Sequence, residues 1–289
     1  MPEIVVGMDG SSGAAGALVW ADREAAERGW GMTALLSWGL LDQHQADPEA
    51  PFDPEYSVRD AEQALDAYIG RALPPDRAEL VKRRVVNDLP RRALVDASAS
   101  SVLLVVGARG RGGFAGMLLG SVSQHCIHHA QCPVAVIRQD HSGQGDAIER
   151  IVVGFDGSSA SQAAVRWACG AARTHGATLE VIHAWHVPYG TAYPLTITAI
   201  DPGLLEQAGQ QVLDRSLDGI ELGGIRPPVE RILVSGSAAQ ALLDATKGAD
   251  LVVVGSRGLG GFAGLLLGSV SHQVAHHAPC PVVIIPPSE

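Results

Sequence analysis

Apolar residues in this chain follow two rhythms that alternate. Nearly unbroken apolar runs, Ile4 to Met8, Met32 to Trp38, Val102 to Val106 and Pro133 to Ile137, have the length of buried strands. Between them the apolar residues step by three and four. Ala14, Ala17, Leu18, Ala21 and Ala25 recur in this way, with Asp22, Arg23, Glu24 and Glu27 elsewhere around the wheel. That predicts a helix, which Gly29 and Gly31 end. Further helices are predicted over Asp60 to Ala72, Arg91 to Ala99 and Ser121 to about Ala130, and a further strand over Val81 to Val86. Asp42 to Tyr56 is polar, Pro-rich and irregular, a long loop of the kind that forms lids and ligand walls. Strands that alternate with helices and are nearly all apolar imply a parallel sheet covered on both faces. Such sheets bind ligands at the C-terminal ends of their strands, near the switch point, and both Asp9 and Gly107 lie at such ends.

The pattern is written twice. Ile4 to Ser12, closing on Asp9-Gly10-Ser11-Ser12, recurs as Ile151 to Ser159, closing on Asp156-Gly157-Ser158-Ser159. Trp20 answers to Trp167 and Trp38 to Trp185. The second copy gains one residue ahead of Asp201-Pro202, which answers to Asp53-Pro54, and the match then runs on to His128-His129 and Cys132-Pro133 against His276-His277 and Cys280-Pro281. The 289 residues therefore read as two tandem copies of one domain, residues 1–139 and 148–289. The linker falls at about 140–147, within the Gly-, Gln-, Asp- and Ser-rich stretch from Arg138 to Glu149.

Each copy also carries G-x-x-G, nine residues, then G-S: Gly107, Gly110 and Gly120-Ser121 in the first, Gly255, Gly258 and Gly268-Ser269 in the second. Each opens directly after an apolar run. Glycine lets a backbone approach an anion closely, and the start of a helix turns unpaired N–H groups and about half a positive charge outward. The expected ligand is a nucleotide phosphate, held by backbone rather than by side chains. The bland reading stands beside it: Asp9 and Asp156 are ordinary turn and cap residues, and Ser121 and Ser269 are expected to cap helices with or without a ligand. Arg109 and Arg257 either neutralise phosphate charge or lie on a solvated loop.

Composition narrows the field. A formal net charge of -10 argues against general nucleic-acid or anionic-membrane binding, both of which need a basic face. Met1-Pro2-Glu3 runs straight into the first strand and no apolar stretch approaches the about 20 residues of a membrane span, so a cytoplasmic protein is expected. Cys126, Cys132, Cys169 and Cys280 show no disulfide framework and read as reduced thiols. His128, His129 and Cys132, repeated as His276, His277 and Cys280, are metal-ligand types, but zinc needs three or four ligands and no second cluster supplies them. Helix-end packing is the expected role, and no metal site is expected from these clusters.

A strand ending in Asp-Gly-Ser-Ser, a G-x-x-G-x9-G-S loop and a closing Cys-Pro-Val strand resemble the universal stress protein family, nearly end to end in both halves. The glycine loop resembles that of the family's ATP-binding branch. The resemblance implies an α/β fold of two tandem doubly wound, Rossmann-like domains in the layout of the adenine nucleotide alpha hydrolases, each a five-stranded parallel sheet with helices on both faces. It also implies two ATP per chain, with Mg near Asp9 and Asp156. By position, Asp9 and Asp156 would face ribose and phosphates, and the backbone at Ser37 and Ala184 would touch adenine. Gly107, Arg109, Gly110, Gly120, Ser121 and Val122 would surround the triphosphate in the first copy. Gly255, Arg257, Gly258, Gly268, Ser269 and Val270 would do so in the second. The last strands, Pro133 to Ile137 and Pro281 to Ile285, pair in family dimers, so the two halves, or a homodimer, are expected to supply that pairing.

The copies are not identical. Asn87-Asp88-Leu89-Pro90 answers to Ser235-Gly236-Ser237-Ala238, and an inward-facing Asp88 would repel a nucleotide, so equal affinity is not expected. Arg111 answers to Leu259, which makes the first loop the more basic. Neither a G-x-x-x-x-G-K-[ST] lysine nor an H-R-D base occurs. That points to an ATP-binding regulatory module reporting through the loops Asp42 to Tyr56 and Tyr189 to Asp201, or through the domain interface, to a protein partner. The alternatives are a slow ATPase or nucleotidyl-transferring enzyme, and a scaffold whose loops no longer hold nucleotide.

Overall fold

The structure, a computed structural model, describes residues 1–39, 42–44, 47, 51–111, 118–138, 147–185, 202–218, 220, 229–259 and 267–287. The linker at 140–146, the loop 189–201 and parts of the loop 42–56 lie outside them. The chain divides into two compact units, Met1–Ala147 with Ala275–Pro286 and Ile148–Val274 with Pro287–Glu289.

In the first unit the chain runs β1 (Glu3–Met8), α1 (Ser12–Arg28), β2 (Gly31–Trp38), α2 (Val58–Ala72), α3 (Pro75–Ala78), β3 (Val81–Asn87), α4 (Pro90–Ser98), β4 (Leu103–Gly107), α5 (Ser121–His129) and β5 (Val134–Ile137). The strands pair in parallel in the order β3-β2-β1-β4-β5, with registers such as Val5 opposite Thr33 and Val5 opposite Leu104. Six consecutive residues of β2 are buried, which requires cover on both faces because successive side chains point to opposite sides. α1 packs with α2, and α4 with α5, to provide it. Ile4, Leu36, Leu103 and Leu104 lose all exposure, and each such side chain contributes about 1.5–3 kcal/mol. The outer strand β3 turns Lys82, Arg83 and Arg84 to solvent, a charged edge that discourages pairing with another sheet.

α1 begins where Ser11 Oγ accepts from the Ala14 N–H (3.1 Å) and stops at Gly29, whose φ of 63° is left-handed. α3 has no counterpart among the predicted helices; it is a single turn started by Pro75, and Arg77 from it grips the Asp22 carboxylate of α1 at 2.8 and 3.0 Å. Trp20 is buried, whereas Trp38 is half-buried with its ring 5.5 Å from that of Tyr56. A sixth strand, β10 (Val282–Ile285), also belongs to this unit and runs antiparallel to β5, Val283 opposite Ala135. These are the two strands that the resemblance expects to pair.

The second unit repeats the scheme with β6 (Arg150–Gly154), α6 (Ser159–His175), β7 (Thr178–Trp185), α7 (Pro202–Leu217), β8 (Glu230–Ser235), α8 (Ala238–Ala245) and β9 (Leu251–Gly255). α9 (Ser269–His277) follows, and the division between the units falls inside it. The strands are again parallel, in the order β9-β6-β7-β8. In both units the chain reverses its direction of travel across the sheet between the first and fourth strands, β1 with β4 and β6 with β9. A switch point thus lies beyond the ends of each such pair.

Candidate functional site

At each switch point the turn after the first strand meets the loop after the fourth. Gly10 holds φ at 79° and Gly157 at 86°, a left-handed turn that directs the preceding aspartate back over the strand ends. Asp9 Oδ1 accepts from the Ser11 N–H (2.9 Å) and the Ser11 hydroxyl (2.6 Å), while Oδ2 accepts from the backbone N–H of Arg111 (3.0 Å). In the second unit Asp156 accepts from the Ser158 N–H (3.0 Å) and from the Leu259 N–H (2.8 Å). Burial pushes Asp156 up, but the hydrogen bonds from Ser158, the Leu259 N–H and Ser161 outweigh it and hold the carboxyl below its ordinary value.

The clasp and the close approach of the helix that follows the first strand explain four of the glycines without any ligand. A Cβ at Gly110 would stand 2.3 Å from Asp9 Oδ2, and one at Gly258 would stand 2.2 Å from Asp156 Oδ2. One at Gly107 would meet the backbone of Gly13 at 2.6 Å, and one at Gly255 that of Ala160 at 2.8 Å. Gly120 and Gly268 meet nothing nearer than 3.5 Å. Their N–H groups donate to Ala108 and Ser256 carbonyls, both at 2.7 Å, which closes each loop onto its strand. The hydroxyls of Ser123 and Ser271 donate to the Gly107 and Gly255 carbonyls, both at 2.6 Å.

One expectation is corrected here. Ser121 is the first helical residue of α5 rather than its cap; the cap is Gly120, which offers no side chain, and no side chain among the described residues caps the helix. The opening N–H groups therefore keep their donor capacity, and with them the positive end of the helix dipole. α9 likewise starts at Ser269, with Gly268 accepting from the His272 N–H.

A cavity of about 450 Å³ opens between these parts in the first unit, and one of about 370 Å³ in the second. Both volumes are within the about 300–1,000 Å³ of small-ligand sites. Asp9, Ser37, Arg109 and Gly110 line the first together with Gly107 and the α5 start at Gly120, Ser121 and Val122. Asp156, Ala184, Arg257 and Gly258 line the second with Gly255 and the α9 start at Gly268, Ser269 and Val270. Apolar walls come from Leu35, Leu94 and Val106 in the first and from Ile182, Leu242 and Val254 in the second. Asp88 lines neither: its Oδ1 accepts from the Leu89 N–H (2.6 Å) and lies 3.8 Å from Arg92, so its charge is spent at the start of α4. Its carbonyl accepts from the Ser37 hydroxyl.

The first cavity has a wall that no sequence rhythm announces. His44, in the Pro-rich loop, is only 3% exposed; its backbone N–H donates to the Tyr56 hydroxyl (3.1 Å), which returns a bond to the His44 carbonyl (2.5 Å). Arg111 Nη1 reaches both the Gln43 carbonyl and His44 Nδ1, each at 3.1 Å. A guanidinium only donates, so Nδ1 accepts and the ring proton sits on Nε2, 3.9 Å from Asp42. Burial lowers the His44 pKa, and the Arg111 charge adds to that; Asp42 and Asp9 pull the other way and lose. The only hint in the sequence was the loop's length and its reading as a ligand wall.

Among the described residues no group of three or more His, Cys, Asp or Glu is placed to hold a metal ion. His128 and His276 are at the ends of α5 and α9, and the four cysteines are buried thiols. Burial pushes Cys126 up to about 12 and Cys132 up to about 11, far from reactive thiolates. Among the described residues no helix is long and apolar enough to cross a membrane.

Comparison with known proteins agrees with the internal repeat. The family model described as Universal stress protein family matches residues 1–138 and again 147–286. A universal stress protein of Mycobacterium tuberculosis is 34% identical over 299 residues, covering 97% of this chain and 95% of that protein. One of Mycolicibacterium smegmatis is 32% identical over 297 residues, covering 98% and 97%. Among solved structures, a universal stress protein from Archaeoglobus fulgidus superposes with a TM-score of 0.67 at 20% identity, covering 99% of this chain and 98% of the other, a likeness of fold.

Proposed function

The chain belongs to the universal stress protein family, and from that premise we propose that it is a regulatory protein that binds one ATP in each of its two repeats. The repeats are 1–139 and 148–289, joined at 140–147, and the reading places them in the cytoplasm. One observation carries it: in each unit the cavity joins an apolar pocket for a base to a helix start, beside a carboxylate held in place by backbone donors, and in the first unit no side chain among the described residues caps that start. An adenine nucleotide has that same polarity, a flat apolar end and an anionic tail. The structural explanation of Gly107, Gly110, Gly255 and Gly258 moves the weight of the argument from the glycines to the open helix start.

The residues present fit the group. Leu35, Leu94 and Val106, with the backbone at Ser37, would hold adenine, and the Gly120 to Val122 segment would hold phosphates; Ala184 and Gly268 to Val270 correspond in the second repeat. Asp9 and Asp156 would share a Mg²⁺ with the phosphate tail, which supplies the counter-charge that an aspartate beside a triphosphate needs. Nucleotide occupancy would be relayed to a protein partner through the loop that contains His44.

Calorimetric titration with Mg-ATP tests the reading. Two sites per chain are expected, together with a rise in melting temperature that grows with the logarithm of ligand concentration. Identification by mass spectrometry of the nucleotide released from freshly purified protein gives its chemistry directly. No binding heat and no melting shift in excess Mg-ATP would overturn it.

A further inference from the structure

The two cavities share a floor and differ at the mouth. The backbone N–H of residue 111 grips Asp9 as that of residue 259 grips Asp156, so both loops start from the same anchored point. The side chains then part. Leu259 is 74% exposed and does not line the second cavity, whereas Arg111 lines the first and spans its rim to the Gln43 carbonyl and His44 Nδ1. The first cavity thus has two lining arginines, Arg109 and Arg111, and the second has Arg257 alone among the described residues.

Both acceptors of the Arg111 guanidinium are uncharged, a carbonyl and an imidazole. A phosphate oxygen is a stronger partner: bonds between two charged groups are shorter and about twice as strong as neutral ones, and a guanidinium matches phosphate geometry. An anion entering the first cavity offers Arg111 that exchange without rearranging the loop backbone, which Asp9 already fixes. We propose that Arg111 is a specificity-determining residue of the first site, exchanging Gln43 and His44 for a phosphate oxygen, so that this site ranks adenine nucleotides by phosphate charge and the second site does so less. The proposal rests on the nucleotide-binding reading above and sharpens it: the repeats are two sites of different affinity and different selectivity.

The experiment uses the full chain carrying Ser269→Asp, which puts a carboxylate at the α9 start and leaves the first site to dominate the isotherm. Adenosine, AMP, ADP and ATP are titrated into this protein and into versions that also carry Arg111→Leu or Arg111→Lys. Leucine is what the second repeat uses at the same clasp, so the backbone bond to Asp9 persists; the lost bonds to Gln43 and to buried His44 should lower the melting temperature without ligand, and affinities are therefore compared where each version is fully folded. Arg111→Leu should weaken ATP about tenfold, the step from a neutral to a charge-assisted bond, and leave adenosine about unchanged. Arg111→Lys should recover part of that loss. Equal losses for adenosine and ATP, or no loss for either, would overturn the proposal. If the protein with Arg111 intact binds none of the four ligands, it is the underlying nucleotide reading that falls.

Discussion

Ser121→Asp separates folding from binding because the two effects have opposite signs. Ser121 is the first residue of α5, exposed and lining the cavity, and the first turn of that helix holds no acidic residue. A carboxylate there interacts favourably with the helix dipole by about 0.3–1 kcal/mol, so the protein without ligand should melt at or slightly above the unmodified temperature. The same carboxylate faces the anionic tail of a nucleotide. Two unit charges about 5 Å apart repel by about 1 kcal/mol in water and by about 3 kcal/mol at the effective dielectric constant of a protein surface. The dissociation constant of the first site should therefore rise by about 5- to 150-fold at low salt, and by less at high salt as the charges are screened. Calorimetric titration at both salt concentrations measures this, with the second repeat as an internal reference. If the folded variant binds ATP at low salt as tightly as the unmodified chain, no phosphate lies at the α5 start and the reasoning is refuted.

Three further outcomes are expected. Gly10→Ala and Gly157→Ala both force a left-handed φ on alanine, about 1–2 kcal/mol, but only at Gly10 would the new methyl meet a ring, that of Tyr68 at 2.4 Å. Chemical denaturation should show Gly10→Ala to be the more damaging, and equal losses would mean that Tyr68 yields freely. His44 has a pKa below its ordinary 6.5, so the fold prefers the neutral ring; the stability this contributes is complete above that value and is lost as pH falls from it toward the lower folded pKa. Melting temperatures measured across that range should fall more for the unmodified chain than for His44→Gln, and identical pH profiles would contradict the placement of His44. Leu103→Ala removes a side chain with no exposure in β4 and should cost about 2–5 kcal/mol by urea unfolding; a cost below about 1 kcal/mol would mean that β4 is not central.

Local rhythm was enough to locate nearly every described element, because strand and helix periods are written in consecutive residues and depend on nothing distant. The run Ile4 to Met8 became β1, the stepping from Ala14 to Ala25 became α1, and the repeat of Ile4 to Ser12 at Ile151 to Ser159 marked β6 and the start of α6. α3 escaped because a single turn has too few residues to show a period. The chain order also marked which backbone segments meet at the strand ends, since a doubly wound sheet puts its ligand side at the switch point. Contacts between residues far apart in sequence were beyond it. Arg111 meeting His44, Asp9 meeting the Arg111 N–H and Gly110 yielding room to a carboxylate all depend on how the strands are ordered and twisted. No period in one segment encodes the side chain that another will present to it, so packing in three dimensions assigned those partners.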